Sequence, residues 1–157
     1  MFTALAAQVL VWMVKLEPLS SAGHTPEEFA TWPALAEEIA DSAELAPIAN
    51  ARWTAAVMTV YGWHESRFRW SPCSKRWTCD HGQSAGVWQT ATSWGSPGAA
   101  LTLLLMHESW ERCGDLPAEQ RLAAYAWGPD CDHRRAQSRL RVAEAERLMT
   151  VTSLTEK

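Results

Sequence analysis

Two glutamates invite a chemical reading, because the tripeptide His-Glu-Ser occurs twice, in YGWHESRF (61–68) and in LMHESWER (105–112). A carboxyl at the edge of a long uncharged stretch is one way to build a general acid, and an ordinary helix end gives the same pattern. From Trp53 to His64 there is no Asp, Glu, Lys or Arg. A helix with no polar face is buried all round. Glu65 is then the first acid, at the C-terminal end of a buried helix. Lost solvation, the negative end of the helix dipole and the flanking Trp63 and Phe68 all disfavour the ionised carboxylate there, as a general acid near neutral pH requires.

Glu108 follows a similar run, LTLLLMH, but Arg112 stands four residues on, in the order that favours an ion pair along a helix. Arg69 stands four after Glu65, so the contrast depends on the helix ending first. Ser71 before Pro72 only biases it to do so. Glu65 is the catalytic candidate, and Glu108 is expected to be structural. For His64 and His107 a hydrogen-bonded core role is expected. No nucleophile-elbow motif supports a Ser/His/Asp arrangement.

The four cysteines fall as Cys73 with Cys79 and Cys113 with Cys131. An even count permits disulfides, with three pairings open, and Cys73 and Cys79 flank a short polar loop that makes a local bridge easy. Such bridges imply an oxidising, extracytoplasmic compartment. A zinc site drawn from Cys73, Cys79, His81, Cys131 and His133 is the sharper alternative. The missing C-x-x-C pair argues against it, so neither a metal nor a cofactor is expected.

Ten tryptophans are far more than packing requires in 157 residues. Indoles stack on sugars and bases and still offer an N–H. Trp12, Trp53 and Trp110 read as core; for Trp63, Trp70, Trp77, Trp88, Trp94 and Trp127 core and binding roles stay equally open. A formal charge of −4 and the lack of a Lys/Arg block exclude nucleic acid as the main partner. The run CDHRRAQSRLRVAEAERL is interrupted by acids and reads as a solvated helix face.

The elements that must position these residues are helical nearly throughout. Residues 4–16 form an apolar run too short to span a bilayer, and they lack the basic region and cleavage site of a conventional signal peptide. They read as a mostly buried helix, with an atypical export or tethering signal as the alternative. Thr25-Pro26-Glu27-Glu28 opens a second helix that continues to about Ala43, with a kink at Pro33. Residues 50–64 form a third, and 101–112, 117–126 and 132–149 three more. Any β-structure is a small hairpin between residues 70 and 89. The fold class is mainly α, with residues 1–32 packing as helix and linker on a domain of 33–150, and 151–157 as a tail.

Three motifs in order give this pattern a family. Glu65-Ser66-Arg67-Phe68 closes a helix, Gly86-Val87-Trp88-Gln89 follows, and Ala124-Tyr125-Ala126-Trp127-Gly128 comes last. Together they resemble the lytic transglycosylase family with the goose-type lysozyme-like fold, over roughly residues 33–149. That family carries Glu-Ser-x-Phe, Gly-Leu-Met-Gln and Ala-Tyr-Asn-x-Gly. The resemblance implies a lysozyme-like domain, acting on peptidoglycan glycan strands as a monomer. Glu65 would be the single catalytic acid/base at the β-1,4 bond between N-acetylmuramic acid and N-acetylglucosamine. Ser66 would orient it or contact the sugar. Gly86 would admit the glycan to the backbone, Trp88 and Gln89 would bind it, and Tyr125 would line the cleft.

Two features depart from the family. Ala126 replaces the asparagine, and the interval from Glu65 to Gln89 is longer than usual, in step with the Cys73 to Cys79 excursion. Hydrolysis with a second carboxylate, from Asp80, Asp130 or Asp132, is the alternative chemistry, giving a lysozyme-type muramidase. A non-catalytic glycan-binding or virion structural module is the alternative outside enzymes.

Overall fold

The computed structural model describes residues 2–19, 24–69, 84–91, 98–125, 128 and 130–153. Its elements are α1 (Ala4–Leu16), α2 (Pro26–Ala30), α3 (Trp32–Leu45), α4 (Ala51–Ser66), β1 (Ser84–Ala85), β2 (Thr90–Ala91), α5 (Ala99–Arg112), a 3-10 turn (Ala118–Gln120) and α6 (Arg135–Leu148). The chain is mainly α, as expected.

Helix α4 is the axis of the core, in contact with α1, α3, α5 and α6. The Asn50 side chain accepts the Trp53 N–H at 2.9 Å and starts it. Every residue from Trp53 to Gly62 is buried, and the uncharged stretch comes to the surface only at its end, where Trp63 is half-buried and His64 exposed. Helix α1 has the expected bounds. Thr3 caps it, and Val9, Trp12 and Met13 bury one face. The Gln8 amide and the Trp12 indole both donate to the Val151 carbonyl, at 2.8 and 3.2 Å, tying the first helix to the chain just beyond α6.

Pro33 does not kink a single helix. Helix α2 closes at Thr31, whose hydroxyl donates to the Glu28 carbonyl at 2.7 Å, and α3 starts afresh with Pro33 in its first turn. An amide is not needed there, so proline fits a start better than an interior. The hairpin is shorter than a usual strand pair and ends at Ala91, with Ser84 opposite Ala91, Ala85 opposite Thr90, and 86–89 as the turn.

The expected helix over 117–126 is also corrected. Only Ala118–Gln120 is helical, as 3-10, and turns follow to 125. Side chains from other segments take the carbonyls that an α-helix would use: Ser138 Oγ donates to Glu119 O at 2.9 Å and Ser109 Oγ to Arg121 O at 2.8 Å. A Cys113–Cys131 disulfide staples this segment between α5 and α6. The bridge closes 18 residues, and on loop-entropy grounds its loss costs about 3 kcal/mol. A Cys113→Ser/Cys131→Ser variant is therefore expected to lose about 3 kcal/mol in urea unfolding. An unchanged midpoint and slope would remove the bridge from the account of stability.

Candidate active site

Glu65 lies in the last turn of α4. The helix stops one residue later because Arg67 and Phe68 both turn left-handed, at φ 54° and 61°. Each such turn costs a non-glycine residue about 1–2 kcal/mol. Phe68 offsets this by burial: it is 2 % exposed, with its ring edge-on to Trp32 at 5.3 Å, worth about 1.5–3 kcal/mol. The chain thus leaves the helix before Arg69, and the four-residue spacing from Glu65 to Arg69 never lies along a helix face.

The counter-charge to Glu65 comes from α6 instead. Arg141 Nη1 donates to Glu65 Oε1 at 2.6 Å. Arg141 is 6 % exposed, and its guanidinium lies 4.6 Å from the centre of the Tyr61 ring. Glu65 itself is about one-quarter exposed. Among the described residues it makes no other hydrogen bond. The ion pair that the spacing to Arg69 leaves open is thus made with Arg141, from a different helix. Arg141 is also an exception to the reading of the charged run as a solvated helix face, since it is buried.

Sequence reasoning missed Arg141, although a signal was there. Ser138, Arg141, Val142, Ala145 and Leu148 are the buried residues of α6. Their spacing of three, one, three and three is a helical stripe that includes one arginine.

Two tyrosines complete the floor. Tyr61 and Tyr125 meet edge to face at 5.3 Å. Burial pushes Tyr61 up to about 12; the Glu65 charge adds to this, while Arg141 and Ser138 oppose it. Tyr125 is also pushed up, first by burial and next by the Glu65 charge, with the Thr102 hydroxyl opposing. Both therefore stay protonated at neutral pH. The Tyr125 and Thr102 hydroxyls are each buried without a hydrogen bond of good geometry.

The structure brings Glu65, Arg141, Tyr61 and Tyr125 together and gives the other candidates local work. Ser66 Oγ donates back to the Gly62 carbonyl at 3.2 Å rather than toward Glu65. Gly86 takes φ 76°, the conformation that calls for glycine. Gln89 is left-handed at φ 50°, and its side-chain amide donates to the Gly86 carbonyl at 2.6 Å, closing the turn. Trp88 is 3 % exposed, with its indole N–H on the Met58 carbonyl at 2.8 Å. It anchors the hairpin on α4 and offers no open face for a sugar. Gly62 makes this approach possible: a Cβ there would lie 3.0 Å from Val87 Cγ1 and 3.1 Å from Trp88 Nε1.

Asp130 and Asp132 serve the turn into α6. Asp130 accepts the Asp132 N–H at 2.7 Å, which is the main reason its carboxyl is held low, and contacts His133; Asp132 pairs with Arg135. His64 bonds Glu144 at 2.7 Å and His107 bonds the Ala46 carbonyl at 2.9 Å, so both are hydrogen-bonded, near the surface rather than in the core. Cys131 is oxidised, which removes it from the zinc alternative. Glu108 and Arg112 make no ion pair among the described residues, contrary to expectation. Two exposed side chains gain only about 0.3–0.5 kcal/mol from such a pair, too little to hold them. Cys73, Cys79, Asp80, His81, Ala126 and Trp70, Trp77, Trp94 and Trp127 lie outside the described residues.

Behind Glu65 a charged cluster buttresses the turn. Buried Glu17 accepts the Trp63 indole N–H at 3.0 Å and lies 3.7 Å from Arg67 and 3.8 Å from His24. His24 has a fully buried side chain, edge-on to Trp32 and 5.1 Å from Phe29. Burial pulls its pKa down, Arg69 and Arg67 add to this, and Glu28 and Glu17 oppose it.

With the folded value depressed, the unfolded chain binds the proton first as pH falls. Stability is fully present above about 6.5 and declines as pH drops toward the lowered folded value. A His24→Phe variant, which keeps the ring contacts, is expected to flatten the fall in Tm on acidification below that point. An unaltered slope would contradict this.

Compared with known proteins, the chain matches no family model, no curated protein and no solved structure.

Proposed function

We propose that this chain is a peptidoglycan-cleaving enzyme of lysozyme-like fold, a lytic transglycosylase with Glu65 as its single acid/base. One observation carries the reading. A carboxyl at the end of the buried central helix has one oxygen fixed by a buried arginine and, among the described residues, no bond to the other, beside two protonated tyrosines. The ordered Glu-Ser-x-Phe, Gly-x-x-Gln and Ala-Tyr motifs give the substrate class, and the Cys113–Cys131 bridge is in keeping with an extracytoplasmic setting.

In the first step protonated Oε2 of Glu65 gives its proton to the glycosidic oxygen. The bond from the muramyl C1 to that oxygen breaks, and the N-acetylglucosamine end leaves with a 4-hydroxyl. The carboxylate then takes the proton of the muramyl 6-hydroxyl as its oxygen bonds C1. The 1,6-anhydro ring closes, and Glu65 is protonated again without consuming water. Arg141 is a positioning residue: it holds Oε1 and favours the carboxylate formed between the steps.

The Tyr125 hydroxyl offers a donor to the same region. Of the three candidate second carboxylates, Asp130 and Asp132 are engaged by His133, Arg135 and a backbone amide, which speaks against either as a hydrolytic partner, and Asp80 lies outside the described residues. Release of soluble muropeptides from purified peptidoglycan by the wild-type chain tests the proposal, and an inert wild type would remove it.

A further inference from the structure

The second His-Glu-Ser has a setting of its own. A cleft of about 440 Å³ opens between α5 and the segment that carries Tyr125. Leu101, Leu104 and Leu105 form its apolar wall, with Leu104 55 % exposed. Glu108 and Arg112 stand along the same helix, one turn apart, and also line it. Neither has an ionic or hydrogen-bond partner among the described residues. Tyr125 also lines this cleft, and its ring meets Tyr61 at 5.3 Å, the tyrosine under the Arg141 guanidinium that holds Glu65, so the cleft is linked to the proposed catalytic carboxyl through these packed side chains.

Side chains four apart on a helix have Cβ atoms about 6 Å apart. An acid and a base held at that spacing without pairing suit a ligand that carries both charges close together. We propose that this cleft grips an α-amino-acid zwitterion at the end of a peptide stem on the glycan. Glu108 takes the ammonium, Arg112 takes the carboxylate, and the leucines take the apolar chain that leads up to the zwitterion. The inference rests on the reading of Glu65 as a glycan-cleaving acid for its peptide source. A free diamino acid presents the same chemistry without the glycan.

Titration calorimetry on the full chain tests this with three probes: a muramyl tripeptide ending in diaminopimelate, free diaminopimelate, and the peptide-free disaccharide. The wild type is expected to bind the tripeptide saturably. Glu108→Gln and Arg112→Gln, both at exposed positions, should each weaken it by about ten-fold or more. The disaccharide should not reproduce that loss in either variant. Free diaminopimelate bound as tightly, with the same sensitivity, places recognition in the zwitterion alone and upholds the cleft. Affinity unchanged in both variants, or no saturable binding of either zwitterionic probe, overturns it. With peptidoglycan release measured alongside, release without tripeptide binding overturns the cleft alone, and binding without release overturns the Glu65 reading alone.

Discussion

Glu65→Gln is expected to lower muropeptide release from purified peptidoglycan by about 10³-fold or more, the scale on which a positioned acid/base acts. Glutamine keeps the size of the side chain, and its carbonyl oxygen can still accept from Arg141, 2.6 Å from Oε1 in the wild type. It has no proton to give to a leaving oxygen. Activity should therefore collapse while the fold persists, because Glu65 is about one-quarter exposed and α4 is held by its buried face. The informative readout is the pairing of the two effects: lost release with a far-ultraviolet spectrum and a cooperative melt close to wild type. Equal release by both proteins would end the catalytic assignment. Glu108→Gln gives the contrast: it is expected to weaken stem binding by about ten-fold while leaving the proton-transfer steps intact, so its release should recover at saturating substrate.

Trp88→Ala carries the largest expected loss of stability, about 3–5 kcal/mol for truncating a buried aromatic. Two things disappear together: the ring packed against Gly62, and the indole N–H that satisfies the Met58 carbonyl. Trp88→Phe separates them, restoring most of the packing but not the bond, so a loss of about 1–2 kcal/mol is expected. Urea unfolding of the three proteins checks this order. A Trp88→Ala protein as stable as wild type, yet weak in binding glycan, would mean that the indole stacks on sugar and that its burial against α4 is not its role.

Much of the scaffold is legible in the sequence because it follows from short-range rules. The uncharged run before Glu65 has no polar face, so α4 has to be central. Residues 4–16 carry only Gln8 and Lys15 as polar members, and α1 falls on those bounds. What stays hidden depends on partners distant in the chain. Arg141 is 76 positions from Glu65, and its neighbourhood in the chain is highly charged, which masks the buried stripe it belongs to. Residues 117–126 have helical composition, but Ser109 and Ser138 reach in from α5 and α6 and take their carbonyls.

The motif after β1 shows a third kind of concealment. Gly86 and Gln89 stand out as binding residues by type, yet the two close a turn with each other, and Trp88 between them faces inward. Residue type gives capability, and orientation decides its use. Glu108 runs the other way. The sequence gives it a partner in Arg112, and the fold leaves both facing a cleft.

Mass spectrometry of the soluble products released from purified peptidoglycan by the wild-type protein tests the central claim most directly. Muropeptides ending in 1,6-anhydro-N-acetylmuramic acid, one water lighter than hydrolysed ones, are the expected products of one carboxyl acting twice. Reducing-end muropeptides alone, or no soluble product, would contradict it.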